Sequence, residues 1–121
     1  MTTKILAVDD SRTMRAMIQT ALTDAGFDVD LAEDGVDGLD KLSGADPDLV
    51  ITDINMPRLD GFGMIEGVRA RPECASLPIL VLTTESGEEL KQRARTAGAT
   101  GWIVKPFDAE KLVAIINRLV V

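Results

Sequence analysis

Histidine and tyrosine are absent from this 121-residue chain, and cysteine and tryptophan occur once each. Without histidine there is no Ser-His-Asp catalysis, no His-ligated zinc and no histidine general base. The lone Cys74 cannot close an internal disulfide, and its neighbours Glu73 and Ala75 offer no base to activate the thiol, so it reads as an inert loop residue. No apolar run approaches the roughly 20 residues of a membrane span, and Met1 to Lys4 leads straight into an apolar strand rather than a signal peptide. These absences predict a cytoplasmic protein with no membrane partner. Positive charge is also in deficit: 13 Lys plus Arg face 20 Asp plus Glu, a net charge of −7, which argues against nucleic acid as a direct partner. Whatever chemistry occurs here runs on carboxylates, hydroxyls and amines.

What remains is an ordinary globular composition, 45% apolar and 27% charged, without linkers, repeats or low-complexity tracts. Residues 1–121 read as one domain, long enough to bury a core without staples. Lys4–Val8, Leu49–Thr52 and Ile79–Leu82 are continuous apolar or β-branched runs, the signature of parallel strands buried on both faces. Asp28–Ala32 alternates polar and apolar, and Trp102–Val104 is short, so both are expected at sheet edges.

Between the strands lie helical segments. Ser11 or Asp10 can cap the first, in which Met14, Met17, Ile18, Ala21, Leu22 and Ala25 recur at helical spacing before Gly26; its methionines are expected in the core. A short helix is expected over Val36–Leu42, ended by Ser43 and Gly44. Gly61–Ala70 is helical but interrupted by glycines, Arg71–Pro78 is a loop, and Glu88–Ala97 carries only Leu90, Ala94 and Ala97 as an apolar face. Ala109–Val120 shows a full apolar stripe. Five strands alternating with five helices predict an α/β fold, a parallel sheet with right-handed crossovers and helices on both faces.

The strand ends form a set. Asp9 and Asp10 follow the first strand, Asp53 the third, Thr83 the fourth and Lys105 the fifth. Asp53 alone could merely open a turn with Asn55. In a parallel sheet, however, all carboxyl ends share one edge, where ligands of open α/β sheets bind. Three carboxylates within about 4 Å would repel by roughly 4 kcal/mol per pair at an effective dielectric near 20, so the cluster wants a cation. Oxygen ligands alone point to a hard ion, best Mg²⁺, while Lys105 adds a fixed positive charge and Thr83 a hydroxyl. Together they describe a site for a phosphoryl group on an aspartate.

The runs VDDSRTMR (Val8–Arg15), TDINMPRLDG (Thr52–Gly61), LTTE (Leu82–Glu85) and GWIVKPF (Gly101–Phe107) resemble the motifs of response-regulator receiver domains, most of all the CheY-type single-domain chemotaxis regulators. The resemblance covers essentially the whole chain. It implies a flavodoxin-like strand order 2-1-3-4-5, Asp53 as phospho-acceptor, and Asp9, Asp10, Asp53 and the Asn55 carbonyl as ligands of Mg²⁺. It further implies that Thr83 and Lys105 contact the phosphoryl group, that Lys105-Pro106 is cis, and that Asn55 and Glu85 influence phosphoryl lifetime, unless those two are plain turn and helix-start residues. Trp102 departs from the tyrosine or phenylalanine usual at the family's switch position. It either limits the inward rotamer, tunes partner choice, or is a half-buried edge aromatic with no switching role.

By resemblance the chain is a monomer, not an enzyme beyond its own phosphorylation and dephosphorylation, served by a histidine kinase with a CheA-like phosphotransfer domain and acting on a target such as a FliM-like flagellar motor switch protein. A phosphorelay intermediate or phosphate sink is the alternative output. A haloacid-dehalogenase-like phosphatase would use the same residue types, but it places its nucleophile after the first strand and its acid pair late, the reverse of the order here. A flavodoxin-like electron carrier is poorly served by one Trp and three Phe and by fold analogy alone.

Overall fold

A computed structural model describes residues 2–120; Met1 and Val121 lie outside the described residues. The elements alternate as β1 (Lys4–Val8), α1 (Arg12–Asp24), β2 (Asp28–Ala32), α2 (Gly35–Ala45), β3 (Leu49–Thr52), α3 (Gly61–Arg69), β4 (Ile79–Thr83), α4 (Glu88–Ala97), β5 (Gly101–Val104) and α5 (Ala109–Leu119). Between α3 and β4, where a plain loop is expected, Pro72–Cys74 forms one 3-10 turn that buries Cys74.

All four strand pairings are parallel and the sheet order is β2-β1-β3-β4-β5. The two strands expected at edges are the edges. Along the central strands successive side chains go to opposite faces. Leu6, Val8, Val50, Ile79 and Val81 join Leu42, Phe62, Ile65, Val68 and Ala94 in one core layer. Ile5, Ala7, Leu49, Ile51, Leu80 and Leu82 join Ile18, Leu22, Leu112 and Ile116 in the other. Each such side chain, fully buried, contributes about 1.5–3 kcal/mol, which is why β1 after Lys4, and β3 and β4 before their terminal threonines, hold apolar residues alone. Of the expected stripe on α5, Leu112 and Ile116 are fully buried, while Ile115, Leu119 and Val120 are half-buried.

Four helices begin on an oxygen side chain that accepts from the first turn: Ser11 from the Met14 N–H, Asp34 from Asp37, Asp60 from Gly63 and Asp108 from Lys111. Each such cap stabilises by about 1 kcal/mol. In a parallel α/β fold every helix starts at the carboxyl edge of the sheet, so the caps also draw helix N-termini toward the edge that collects the acids.

Two expectations fail. Helix α2 does not stop at Ser43 and Gly44; it runs to Ala45 and ends on Asp46, which takes the left-handed conformation (φ 46°) and donates its N–H to the Leu42 carbonyl. Aspartate tolerates that conformation better than most residues, and Pro47 prevents continuation, so no glycine is required at the stop. The methionines of α1 are only partly core: Met17 is 47% exposed, while Met14 is half-buried and packs against the Ile18–Leu112 side of the core. The helix buries only the narrow stripe of Ile18 and Leu22. Periodicity marks the apolar side of α1, and the sheet covers only part of it.

Two glycines test this packing in opposite directions. A Cβ on Gly44 meets nothing within 4 Å, whereas one on Gly61 falls on the Asp53 carbonyl oxygen and 2.7 Å from Ile54 Cα. Gly44→Ala is expected to raise unfolding stability by about 0.5–1 kcal/mol through helix propensity. Gly61→Ala should lower it by about 2 kcal/mol or more through overpacking. Urea denaturation midpoints check both signs.

Candidate functional site

The carboxyl edge holds the predicted cluster. Three of its members continue the backbone ladder one rung beyond the strands: the Asp9 N–H donates to Ala32 O (3.0 Å), Asp53 to Val8 O (3.0 Å) and Lys105 to Thr83 O (2.7 Å). The backbone at all three positions is therefore held by the sheet itself. Asp9, Asp53 and Thr83 are buried and Asp10 is exposed. One oxygen from each of Asp9, Asp10 and Asp53 lies within 4.8 Å of the others.

Lys105 Nζ sits between two of these acids, 2.7 Å from Asp9 Oδ2 and 2.9 Å from Asp53 Oδ2, with its side chain only 9% exposed. The remaining oxygens are also engaged: Asp9 Oδ1 accepts the Ser11 N–H at 2.9 Å, and Asp53 Oδ1 accepts the Ile54 N–H at 2.6 Å. Burial raises the Asp9 pKa above the ordinary carboxylate value, assisted by the Asp53 charge and opposed by the bonds from Lys105 and Ser11. Burial also works against the Lys105 cation, but its bonds to Asp9 and Asp53 outweigh this and its pKa is raised. With Lys105 charged and all three carboxylates ionised, the pocket carries two uncompensated negative charges. Those charges and the all-oxygen donor set fit a hard divalent cation.

The other expected residues are nearby in graded fashion. Thr83 is buried at the end of β4, where its Oγ1 accepts the Glu85 N–H at 3.4 Å; among the described residues its hydroxyl bonds none of the acids. Asn55 Nδ2 donates to Glu85 Oε1 at 3.1 Å. Trp102 is half-buried on β5 and its Nε1–H donates to the Glu85 carbonyl at 3.0 Å. Glu85 thus joins the loop after Asp53, the end of β4 and the indole. The Lys105-Pro106 peptide is cis, as the resemblance implies.

Sequence reasoning missed two groups. Arg15 Nη1 donates to the Asp9 carbonyl at 2.7 Å; the spacing from the Ser11 cap, one helical turn, could have signalled that its side chain reaches back over the first strand's end. Arg58 pairs with Asp34 in two bonds, 2.7 and 3.0 Å, and nothing in the sequence pairs a loop arginine with a helix cap 24 residues earlier.

The charge imbalance yields two opposite outcomes. Lys105→Ala leaves two buried carboxylates unpaired and should lower stability at pH 7 by about 2–3 kcal/mol. The loss should shrink toward pH 4.5, because the Asp9 pKa, already raised, rises further without its cation and protonation relieves the repulsion. Asp10→Asn removes like charge from an exposed position and should raise stability by about 0.5–1 kcal/mol while weakening divalent-cation binding. Urea titrations at both pH values, with and without Mg²⁺, check the signs.

The sequence matches the response regulator receiver domain family over residues 5–117. It is 43% identical over 121 residues to chemotaxis protein CheY-3 of Vibrio cholerae, covering 96% of this chain and 93% of that protein. It is 39% identical over 119 residues to response regulator MprA of a Mycobacterium species, covering 98% of this chain and 51% of that protein. The crystallised Vibrio cholerae chemotaxis protein CheY4 has a TM-score of 0.94 at 44% identity, covering 98% of this chain and 99% of that one. The receiver domain of the Pseudomonas aeruginosa sensor histidine kinase PA1611, which has a magnesium ion coordinated in its active site cleft, has a TM-score of 0.91 at 26% identity, covering 99% of this chain and 98% of that one. With a family match across nearly its whole length and a five-stranded parallel sheet in the order 2-1-3-4-5, the chain belongs to the response regulator receiver domains.

Proposed function

We propose that the chain is a CheY-type phospho-accepting regulator of a two-component system, working in chemotaxis as a cytoplasmic monomer. The observation that carries this reading is Asp53 at the end of the central strand, 2.9 Å from Lys105 and clustered with Asp9 and Asp10. Asp9, Asp10, Asp53 and the Asn55 carbonyl would hold Mg²⁺, which when bound supplies charge neutralisation between the carboxylates and an incoming phosphoryl group. The donor is a phosphohistidine on a histidine kinase, since this chain has no histidine.

An Asp53 carboxylate oxygen forms the new P–O bond as the donor's P–N bond breaks, and the electron pair returns to the donor imidazole, which takes up a proton. Lys105, already bonded to Asp53, is positioned to stay with the oxygens that gain charge. The Thr83 hydroxyl is the nearby uncommitted donor for a phosphoryl oxygen. Turning it toward that oxygen alters its contact with the Glu85 N–H. Because the Glu85 carbonyl accepts from Trp102, the change reaches the face of α4, β5 and α5.

That face carries the output, a changed affinity for a partner such as a flagellar motor switch protein; 43% identity to a chemotaxis protein supports this over a phosphorelay or sink. The protein catalyses its own phosphorylation and dephosphorylation and turns over no free phosphoester. Asn55 and Glu85, bonded to each other beside the acceptor, set how readily water reaches it.

Mg²⁺ with beryllofluoride, a phosphoryl mimic, is expected to change the fluorescence of the sole tryptophan, Trp102, and Asp53→Asn should abolish the response. An unchanged response in Asp53→Asn would defeat the acceptor assignment, and steady hydrolysis of a generic phosphoester would favour a phosphatase. A motor-switch protein is expected to bind more tightly in the presence of the mimic; equal binding with and without it would sink the motor output.

A further inference from the structure

The loop between Asp53 and α3 carries a backbone feature that the phosphoryl chemistry does not use. Arg58 has φ 65°, a left-handed conformation rare for a residue with a long side chain, and the Leu59 N–H donates across it to the Pro57 carbonyl at 2.7 Å. This is a tight three-residue turn of the less common hand, which is strained. Strain of this kind persists only where surrounding contacts over-determine it. Here they are explicit. Arg58 Nε and Nη2 grip both oxygens of Asp34 at 2.7 and 3.0 Å. The Gly35 N–H donates to the Leu59 carbonyl at 3.0 Å, and a Cβ on Gly35 would come within 2.5 Å of that oxygen. On the other side the Gly61 N–H donates to Ile54 O at 2.9 Å and closes the loop.

The loop is therefore clamped to the start of α2, and the segment it holds runs directly from Asp53 through Asn55. Asp34 is buried, although the Arg58 side chain is more than half exposed. The same carboxylate caps α2 through the Asp37 N–H, so its position is set by the helix. A fixed helix end thus holds a strained turn, and the turn fixes the backbone on which the Asn55 carbonyl is carried. We propose that the Arg58–Asp34 pair is a positioning device for the metal pocket, holding the Asp53–Arg58 backbone in the geometry that binds Mg²⁺. The pair touches no ligand of the site; it acts through the loop. The inference rests on the receiver reading above.

Calorimetric titration with Mg²⁺ alone separates this role from a merely structural one. Arg58→Gly removes the grip but adopts the left-handed conformation without strain. Asp34→Asn keeps a good helix cap and removes the ionic partner. Both are expected to bind Mg²⁺ about three- to tenfold more weakly, as for the outer partners of metal ligands. For Arg58→Gly the urea midpoint should stay at or above wild type. Arg58→Lys, which keeps the charge without the two-pronged fork, should fall between Arg58→Gly and wild type. The double variant Arg58→Gly/Asp34→Asn should be no weaker than the worse single one. Wild-type Mg²⁺ affinity in both Arg58→Gly and Asp34→Asn overturns the proposal while leaving the receiver reading intact. A wild-type protein that binds no Mg²⁺ overturns both.

Discussion

A single ammonium group, Lys105 Nζ, stands between Asp9 and Asp53 at 2.7 and 2.9 Å in a pocket that also receives Asp10. One cation among three acids leaves the pocket underneutralised. Such an arrangement adds little to stability, because desolvation of the buried charges offsets much of the attraction. Its sense under the proposed function is chemical: a site short of positive charge suits a divalent ion and, through it, a phosphoryl group. The rest of the domain holds the four groups in place. The ladder bonds at Asp9, Asp53 and Lys105 carry the rigidity of the sheet into the pocket itself.

From this constraint the signalling geometry follows. Residues far apart in sequence meet because parallel strands end on one edge: Asp9, Asp53 and Lys105 occupy the first position beyond their strands, Asp10 the second, and Thr83 the last position within its own. Outward from Asp53, contacts pass through Asn55 to Glu85 and from Glu85 to Trp102. The indole nitrogen can only donate, so its partner must be an acceptor such as the Glu85 carbonyl. That dependence ties Trp102 to the backbone of the loop after β4 more specifically than a phenylalanine could be tied. Helix α4, with Ala94 as its one fully buried side chain, lies beside this connection.

Much of the fold was legible because both faces of the central strands are covered, so their runs are continuously apolar and stop abruptly on acids or, in β4, on threonines. The edge strands were legible for the opposite reason, one alternating and the other short. The site residues stood out as polar endings to apolar runs. Ambiguity lay where burial is partial. Met17 shares the period of Ile18 and Leu22 but extends past the area the sheet covers. The end of α2 is set by an aspartate in a left-handed conformation rather than by the nearby glycine. Arg58 and Asp34 left no periodic signal, because a loop-to-cap pair depends on the folded path of two loops. Trp102 was visible as a departure, but its partner was not, since the acceptor is a backbone carbonyl that any residue could supply.

The central claim is that Asp53 is the nucleophile of a Mg²⁺-assisted phosphoryl transfer. Its most direct measurement is the intact mass of the protein after incubation with phosphoramidate, a small donor with a P–N bond, followed by borohydride reduction and peptide mapping. The expected result is one added phosphoryl group, dependent on Mg²⁺, and reduction at Asp53 alone. A phosphoryl group on a serine or threonine, or one on Asp53 that forms equally well without any divalent ion, would contradict it.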